Sequence, residues 1–267
     1  MNALQQLKTT APWAIIILVS TLLAWPTDAA AQLKVIISGG FTRAYEELLP
    51  EFERTSGTKV TTGSGGSLGT GPQTIAAQLS RGVPADVVIL SRDGLRELIA
   101  TNRIVAGTDV DLAQVPLGVG VRTGAPKPDV STVEAFKRTL LAAKAVVVTG
   151  STSGIYVTKE LLPRLGIADK VNIRVAGLTQ ARALVAAGDA EIAVMPVSEI
   201  VGVAGVDFAA TIPSEVQNVQ VYTAAVVTGS KAEGAARGLI ELLASEHAST
   251  AIRKAGMEPL GKCSQNP

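Results

Sequence analysis

Leu33-Lys34-Val35-Ile36-Ile37-Ser38-Gly39-Gly40-Phe41-Thr42-Arg43 is the stretch that sets the architecture. An apolar run of strand length ends in a serine and two glycines, and a helical pattern begins near Thr42. A strand that turns through glycines into a helix leaves N–H groups without partners at the turn, and the helix dipole favours negative charge there. The turn is therefore a place to hold a small anion. A second small-residue loop, Gly63-Ser64-Gly65-Gly66-Ser67-Leu68-Gly69, follows the short strand 59–62 and can face the same ligand.

The same alternation runs outward from this point. Tyr45, Leu48, Leu49 and Phe52 recur at helical spacing, and Pro50 predicts a kink or a short first segment. Pro84-Ala85-Asp86 opens the fully apolar strand 87–90, with an amphipathic helix over 94–100; Asp86 reads as structural, bonding loop N–H groups. Beyond Pro116 come a strand at 117–122, a helix at 133–141 and a buried strand at 145–148. Thr149-Gly150-Ser151-Thr152-Ser153-Gly154 then leads into a helix over 155–165. Residues 171–176 and 192–195 read as strands, 180–187 as a helix, and 219–227 as a long strand suited to crossing between lobes. Strands alternating with helices mean parallel sheets, with the ligand at the carboxyl ends of the strands.

The charge is nearly balanced, with 24 Lys and Arg against 23 Asp and Glu, and no basic block interrupts it, which argues against nucleic-acid binding. Residues 1–31 read as an export signal: Lys8 gives the positive region, an apolar core runs from Ala14 to Trp25, Pro26 breaks it, and Ala29-Ala30-Ala31 offers a cut before Gln32. The apolar run is shorter than the about 20 residues a membrane span needs, so no stable insertion is expected after cleavage. Cys263 is the single cysteine and cannot form an intrachain disulfide. His247, the single histidine, reads as a surface or packed helical residue. One His and one Cys make neither a His/Cys metal cluster nor a Ser-His-Asp triad, so no metal or other cofactor is expected. The glycine-rich loop at 63–71 lacks the Lys-Ser/Thr ending of a nucleotide P-loop. Glu199 has two readings, a carboxylate facing a cleft or one favoured at a helix N-terminus.

With the export signal, Leu33 to Gly40, Phe52-Glu53-Arg54-Thr55-Ser56-Gly57-Thr58-Lys59-Val60 and Arg81-Gly82-Val83-Pro84-Ala85-Asp86-Val87, the chain resembles the periplasmic molybdate-binding proteins of ABC transporters. More broadly it is similar to type II solute-binding proteins. The resemblance implies an α/β fold of two lobes, each a mixed sheet flanked by helices, joined by two hinge crossings. Residues 32–113 plus 219–267 would form lobe 1, and 114–218 lobe 2. It also implies a periplasmic monomer that passes a small anionic ligand to an ABC transporter permease. The implied ligand-binding positions are Ser38, Gly39, Gly40, Gly66, Ser67, Thr152, Ser153, Gly154, Gln180 and Ser198.

The sequence departs from that family at informative places. Gly40 stands where a hydroxyl is expected, and Pro196-Val197-Ser198 where a tyrosine is usual, while Arg43 and Arg92 lie near the expected cleft. Arginine forks pair planar oxyanions in bidentate fashion, so these changes favour an organic carboxylate over molybdate. The chain also resembles the bacterial periplasmic aconitate isomerases, which take a proton from a tricarboxylate and return it to another carbon without metal or nucleotide. A binding protein is the first expectation and an isomerase the alternative. In the alternative, Arg43, Arg92, Ser67 and the 152–154 loop clamp carboxylates, and Glu199 or Tyr156 is the acid/base group.

Overall fold

The computed structural model describes residues 32–260. The export signal and Cys263 lie outside the described residues. Two mixed sheets, each covered by helices on both faces, make the two lobes.

In lobe 1, β1 (Gln32–Ile37) leads through a 3-10 turn (Gly39–Phe41) into α1 (Thr42–Ser56), followed by β2 (Lys59–Ser64) and α2 (Ile75–Ser80). Then come β3 (Val87–Ser91), α3 (Arg92–Ala100) and β4 (Val110–Val115). The short first helical segment expected from Pro50 does not form, since α1 runs unbroken through it. Both Pro50 and Glu46 are exposed, so water can satisfy the Glu46 carbonyl that a proline leaves without its donor.

Lobe 2 holds β5 (Leu117–Arg122), α4 (Val133–Ala142), β6 (Val146–Thr149), α5 (Thr152–Tyr156), a π turn (Val157–Leu161) and α6 (Leu162–Arg164). It continues with β7 (Ile173–Ala176), α7 (Leu178–Ala187), β8 (Ile192–Pro196), a 3-10 turn (Val197–Glu199) and β9 (Val206–Thr211). The chain then returns to lobe 1 as β10 (Gln220–Val226), α8 (Glu233–Leu243), α9 (Ser249–Lys254) and β11 (Glu258–Pro259).

The strand orders are β11-β4-β10-β3-β1-β2 and β7-β6-β8-β5-β9. In lobe 1, β1 pairs parallel with β2 and β3, while β10 is antiparallel to β3 and β4. In lobe 2, β6 pairs parallel with β7 and β8, while β5 is antiparallel to β8 and β9. The apolar runs follow from burial on both faces. Val35 and Ile37 pack with α1 and α8 residues, while Ile36 faces Ile75, Leu79 and Leu95 on the other side. Val146 and Val148 against Val147 divide lobe 2 in the same way.

The chain crosses between lobes at 115–117 and again at 217–219. Gln217 ties the two crossings together. Its Oε1 accepts the Leu117 N–H at 2.6 Å, and its Nε2 donates to the carbonyls of Leu117 at 3.1 Å and Ile212 at 3.2 Å.

Candidate functional site

A cleft of about 760 Å³ lies between the lobes, at the carboxyl ends of β1, β6 and β7. Lobe 1 contributes Ser38, Gly39, Thr42 and the 64–74 loop; lobe 2 contributes residues 149–151, the start of α7, Arg182 and Glu199. The first N–H groups of α7 are left without intrahelical partners and favour negative charge in the cleft. Among the described residues, no group of three or more His, Cys, Asp or Glu is placed to hold a metal ion.

Four of the ligand positions read from the sequence line this cleft: Ser38, Gly39, Gly66 and Gln180. Glu199 lines it as well and is buried. Burial pushes the Glu199 carboxyl up to about 7 against the pull of the Arg182 charge, and its Oε2 has no hydrogen-bond partner. An unpartnered, desolvated carboxyl is held near neutrality because its charged form lacks solvation.

Several other positions hold the walls together rather than facing the space. Ser67 is buried, and its Oγ accepts the Ser91 N–H at 2.9 Å. Ser91 Oγ meets Thr152 Oγ1 at 2.9 Å across the lobes, and Ser153 Oγ meets Thr149 Oγ1 at 3.0 Å within lobe 2. Gly154 lies against the Thr149 carbonyl, where a Cβ would come within 1.6 Å of the oxygen. Ser198 is buried with its Oγ unpartnered and does not line the cleft. Tyr156 donates to the Val216 carbonyl at 2.9 Å and packs in the lobe 2 core, away from the cleft.

Gly40 has a specific reason to lack a side chain. A Cβ there would lie 1.7 Å from Tyr222 Oη and 2.2 Å from Cζ, so the phenol of β10 fills that space. Burial raises the Tyr222 hydroxyl well above its ordinary value, and the Glu199 charge adds to this. A register shift in the β10–β4 ladder falls between Tyr222 and Thr223, a type of irregularity that re-aims side chains.

Neither expected arginine lines the cleft. Arg92 Nη1 pairs with Asp109 Oδ2 at 2.6 Å and Nε with Asp111 Oδ1 at 2.9 Å, so two lobe 1 carboxylates hold it. Arg43 reaches across to lobe 2, donating to the Val201 carbonyl against Gly202. The cleft arginine is Arg182, whose Nε donates to the Glu199 backbone carbonyl at 2.8 Å. Burial lowers its guanidinium from the ordinary value, with Glu199 opposing that shift and Arg43 adding to it.

Sequence reasoning also missed the role of Ser151. Its Oγ accepts the N–H groups of Ser67 at 3.1 Å and Leu68 at 3.3 Å, clasping the second glycine loop to lobe 2. Both Arg182 and Ser151 follow strand ends, where the carboxyl-end rule gives a signal. Tyr222 carried a fainter one, as the only aromatic in its strand.

The pattern described as bacterial extracellular solute-binding protein matches residues 33–258. The chain belongs to that family. A curated relative, the aconitate isomerase of a Pseudomonas species, is 36% identical over 258 residues, covering 96% of this chain and 97% of its own. The periplasmic molybdate-binding protein of Azotobacter vinelandii superposes with a TM-score of 0.65 at 19% identity, over 84% of this chain and 98% of its own. The sulfate-binding protein SubI of Mycobacterium tuberculosis gives 0.66 at 18% identity, over 86% and 87%. Those two likenesses establish the type II fold of this extracellular solute-binding protein. Among its described residues, no helix is long and apolar enough to cross a membrane.

Proposed function

We propose that this protein captures an unsaturated tricarboxylate of the aconitate type between its lobes and moves the double bond by proton transfer. One observation carries the proposal: a buried carboxyl, Glu199, lines an anion-attracting cleft with one oxygen unpartnered and its ionisation held at about 7. A general base needs an ionisation near the working pH and no strong partner of its own. Full-length similarity to an aconitate isomerase supports the same chemistry.

In this scheme Arg182, Gln180, Ser38 and the N–H groups at the start of α7 hold the carboxylates. Ionised Glu199 takes a proton from the CH₂ carbon beside the double bond. The electron pair left behind spreads over the allylic carbons and onto the attached carboxylate, where the cationic wall stabilises it. The carboxyl then returns the proton to the far allylic carbon, shifting the double bond. No electrons leave the substrate, and no co-reactant is consumed.

Purified protein incubated with trans-aconitate should form the cis isomer, followed by its ultraviolet absorbance or by proton NMR. Glu199→Gln should reduce kcat by about 10²-fold or more while retaining binding. No turnover by the wild type at high protein concentration would sink the isomerase assignment.

Family membership supports a second function, a binding protein that delivers an organic carboxylate to an ABC transporter permease. Calorimetric titration against molybdate and a panel of di- and tricarboxylates separates the ligand classes. Carboxylate binding without turnover would favour this second function.

A further inference from the structure

Gly39 of lobe 1 and Leu178 and Glu199 of lobe 2 meet at one point across the cleft. The position a Cβ would take on Gly39 lies 2.2 Å from Leu178 Cδ2 and 3.7 Å from Glu199 Oε1. The bare backbone of the first glycine turn thus fits against a leucine methyl and a carboxyl at the same place. Packing between the 39–41 and 197–199 turns extends this contact. Leu178 is the first residue of α7 and lines the cleft, while Gly177 before it adds no side chain that could cap the helix.

Charged and titratable neighbours do not explain a neutral-range carboxyl. Arg182 on α7 draws the carboxyl down, while Tyr222 on β10 is a phenol held protonated; Arg43 on α1 acts on Arg182. What keeps the carboxyl from its ordinary acidity is exclusion of water, and water is excluded by surfaces that belong to different lobes. Separating the lobes removes Gly39 and wets the group.

We propose that Gly39 and Leu178 form a seal over Glu199, so that the carboxyl becomes an effective base only when the lobes are shut. The inference rests on Glu199 being the proton carrier. It gives hinge closure a chemical consequence: an open molecule holds a weak base, and closure strengthens the base next to the trapped ligand. Closure would then contribute to catalysis beyond confinement, because a stronger base removes a carbon-bound proton faster.

The test is a carboxyl-carbon NMR titration of protein labelled at Glu, with the Glu199 resonance assigned by its loss in Glu199→Gln. Spectra are taken with and without saturating propane-1,2,3-tricarboxylate, a saturated analogue with no double bond to move. Leu178→Thr shortens the side chain and adds a hydroxyl, both of which let the carboxyl be solvated; Leu178→Met is the apolar control that keeps the bulk. With analogue bound, Leu178→Thr should lower the Glu199 midpoint by at least about one pH unit, a tenfold loss of proton affinity. Leu178→Met should leave it in place. The analogue's own charge acts equally on all three proteins, so the difference between them reads the seal. The acid limb of the kcat/KM profile should move down with the midpoint in Leu178→Thr.

A midpoint unchanged in folded Leu178→Thr would overturn the seal. So would a wild-type midpoint that is the same with the analogue present or absent. The titration needs no turnover, so a protein that seals Glu199 yet converts no aconitate would overturn the isomerase function and leave the seal standing.

Discussion

Arg182 directs its Nε to the backbone carbonyl of Glu199, at 2.8 Å, and not to the carboxylate of the same residue. The arrangement keeps a cation beside the acid without capping it. A guanidinium fork on the carboxylate would stabilise the ionised form and make a poor base. Bonded at the main chain, Arg182 orients the 197–199 turn and leaves Glu199 Oε2 unpartnered.

Folding stability should therefore fall as pH rises through the range set by Glu199. Its proton is bound up to about 7 in the folded protein against an ordinary value of 4.5, so between these values the folded state holds a proton the unfolded state has lost. Stability is greatest below 4.5 and is lost as pH approaches 7, by at most about 3 kcal/mol from this group. Urea unfolding from pH 4.5 to 8 should register that slope when saturating propane-1,2,3-tricarboxylate keeps the lobes shut. Glu199→Gln should flatten it and be the more stable protein at pH 8; an unchanged slope would contradict the burial argument.

Gly40→Ser should destabilise the protein. The new Cβ would meet the Tyr222 ring and hydroxyl, and overpacking of this kind costs about 1–3 kcal/mol. Adding Tyr222→Ala should recover part of the loss through a positive coupling in the double-mutant cycle. Additive effects would mean the two positions do not share the space.

Ser151→Ala leaves the Ser67 and Leu68 N–H groups without their interlobe acceptor. The clasp exists only between closed lobes, so ligand should dissociate about 5- to 30-fold faster, the equivalent of about 1–2 kcal/mol. Stopped-flow dissociation measures this directly. A dissociation rate equal to the wild type would mean the clasp contributes nothing to closure.

Arg92→Ala should weaken the fold and spare the ligand. Its side chain is 22% exposed and held by Asp109 and Asp111, so loss of about 1–2 kcal/mol of stability is expected. Carboxylate affinity measured by calorimetry should stay within twofold or so of wild type. A tenfold loss would return Arg92 to the site.

The lobes were legible in the sequence because buried parallel strands print as apolar runs and each ends in small residues. Val87-Val88-Ile89-Leu90 and Val146-Val147-Val148 could be little else. Three strands stayed hidden, the two-residue β11 among them. Val110–Val115 carries Asp111 and Gln114, and Val206–Thr211 carries Asp207, so neither makes an apolar run or a clean alternation. Helix starts were set too late at 94 and 155, because Ser91 caps through Gly94 and the helix after 151 takes up a π turn.

The cleft was legible as a set of loops but not as a set of directions. The carboxyl-end rule draws attention to Ser38, Gly66 and Glu199, which line the cleft, yet it cannot say which way Arg92 points, and two aspartates from β4 and the loop before it decide that. Tyr222 lies more than 180 positions from Gly40 in the chain, and only the folded sheet reveals that one fills the space the other leaves open.

Gln217 has a further consequence for the architecture as a whole. Because its amide grips Leu117, the segment that forms lobe 2 starts and stops at the same spot, 2.6 Å from donor to acceptor. Such a segment has the form of a plug-in module, attached through a single doubled stalk. Its ends need no rearrangement to be spliced into another host loop or joined to each other, the condition under which domain insertion and circular permutation are tolerated.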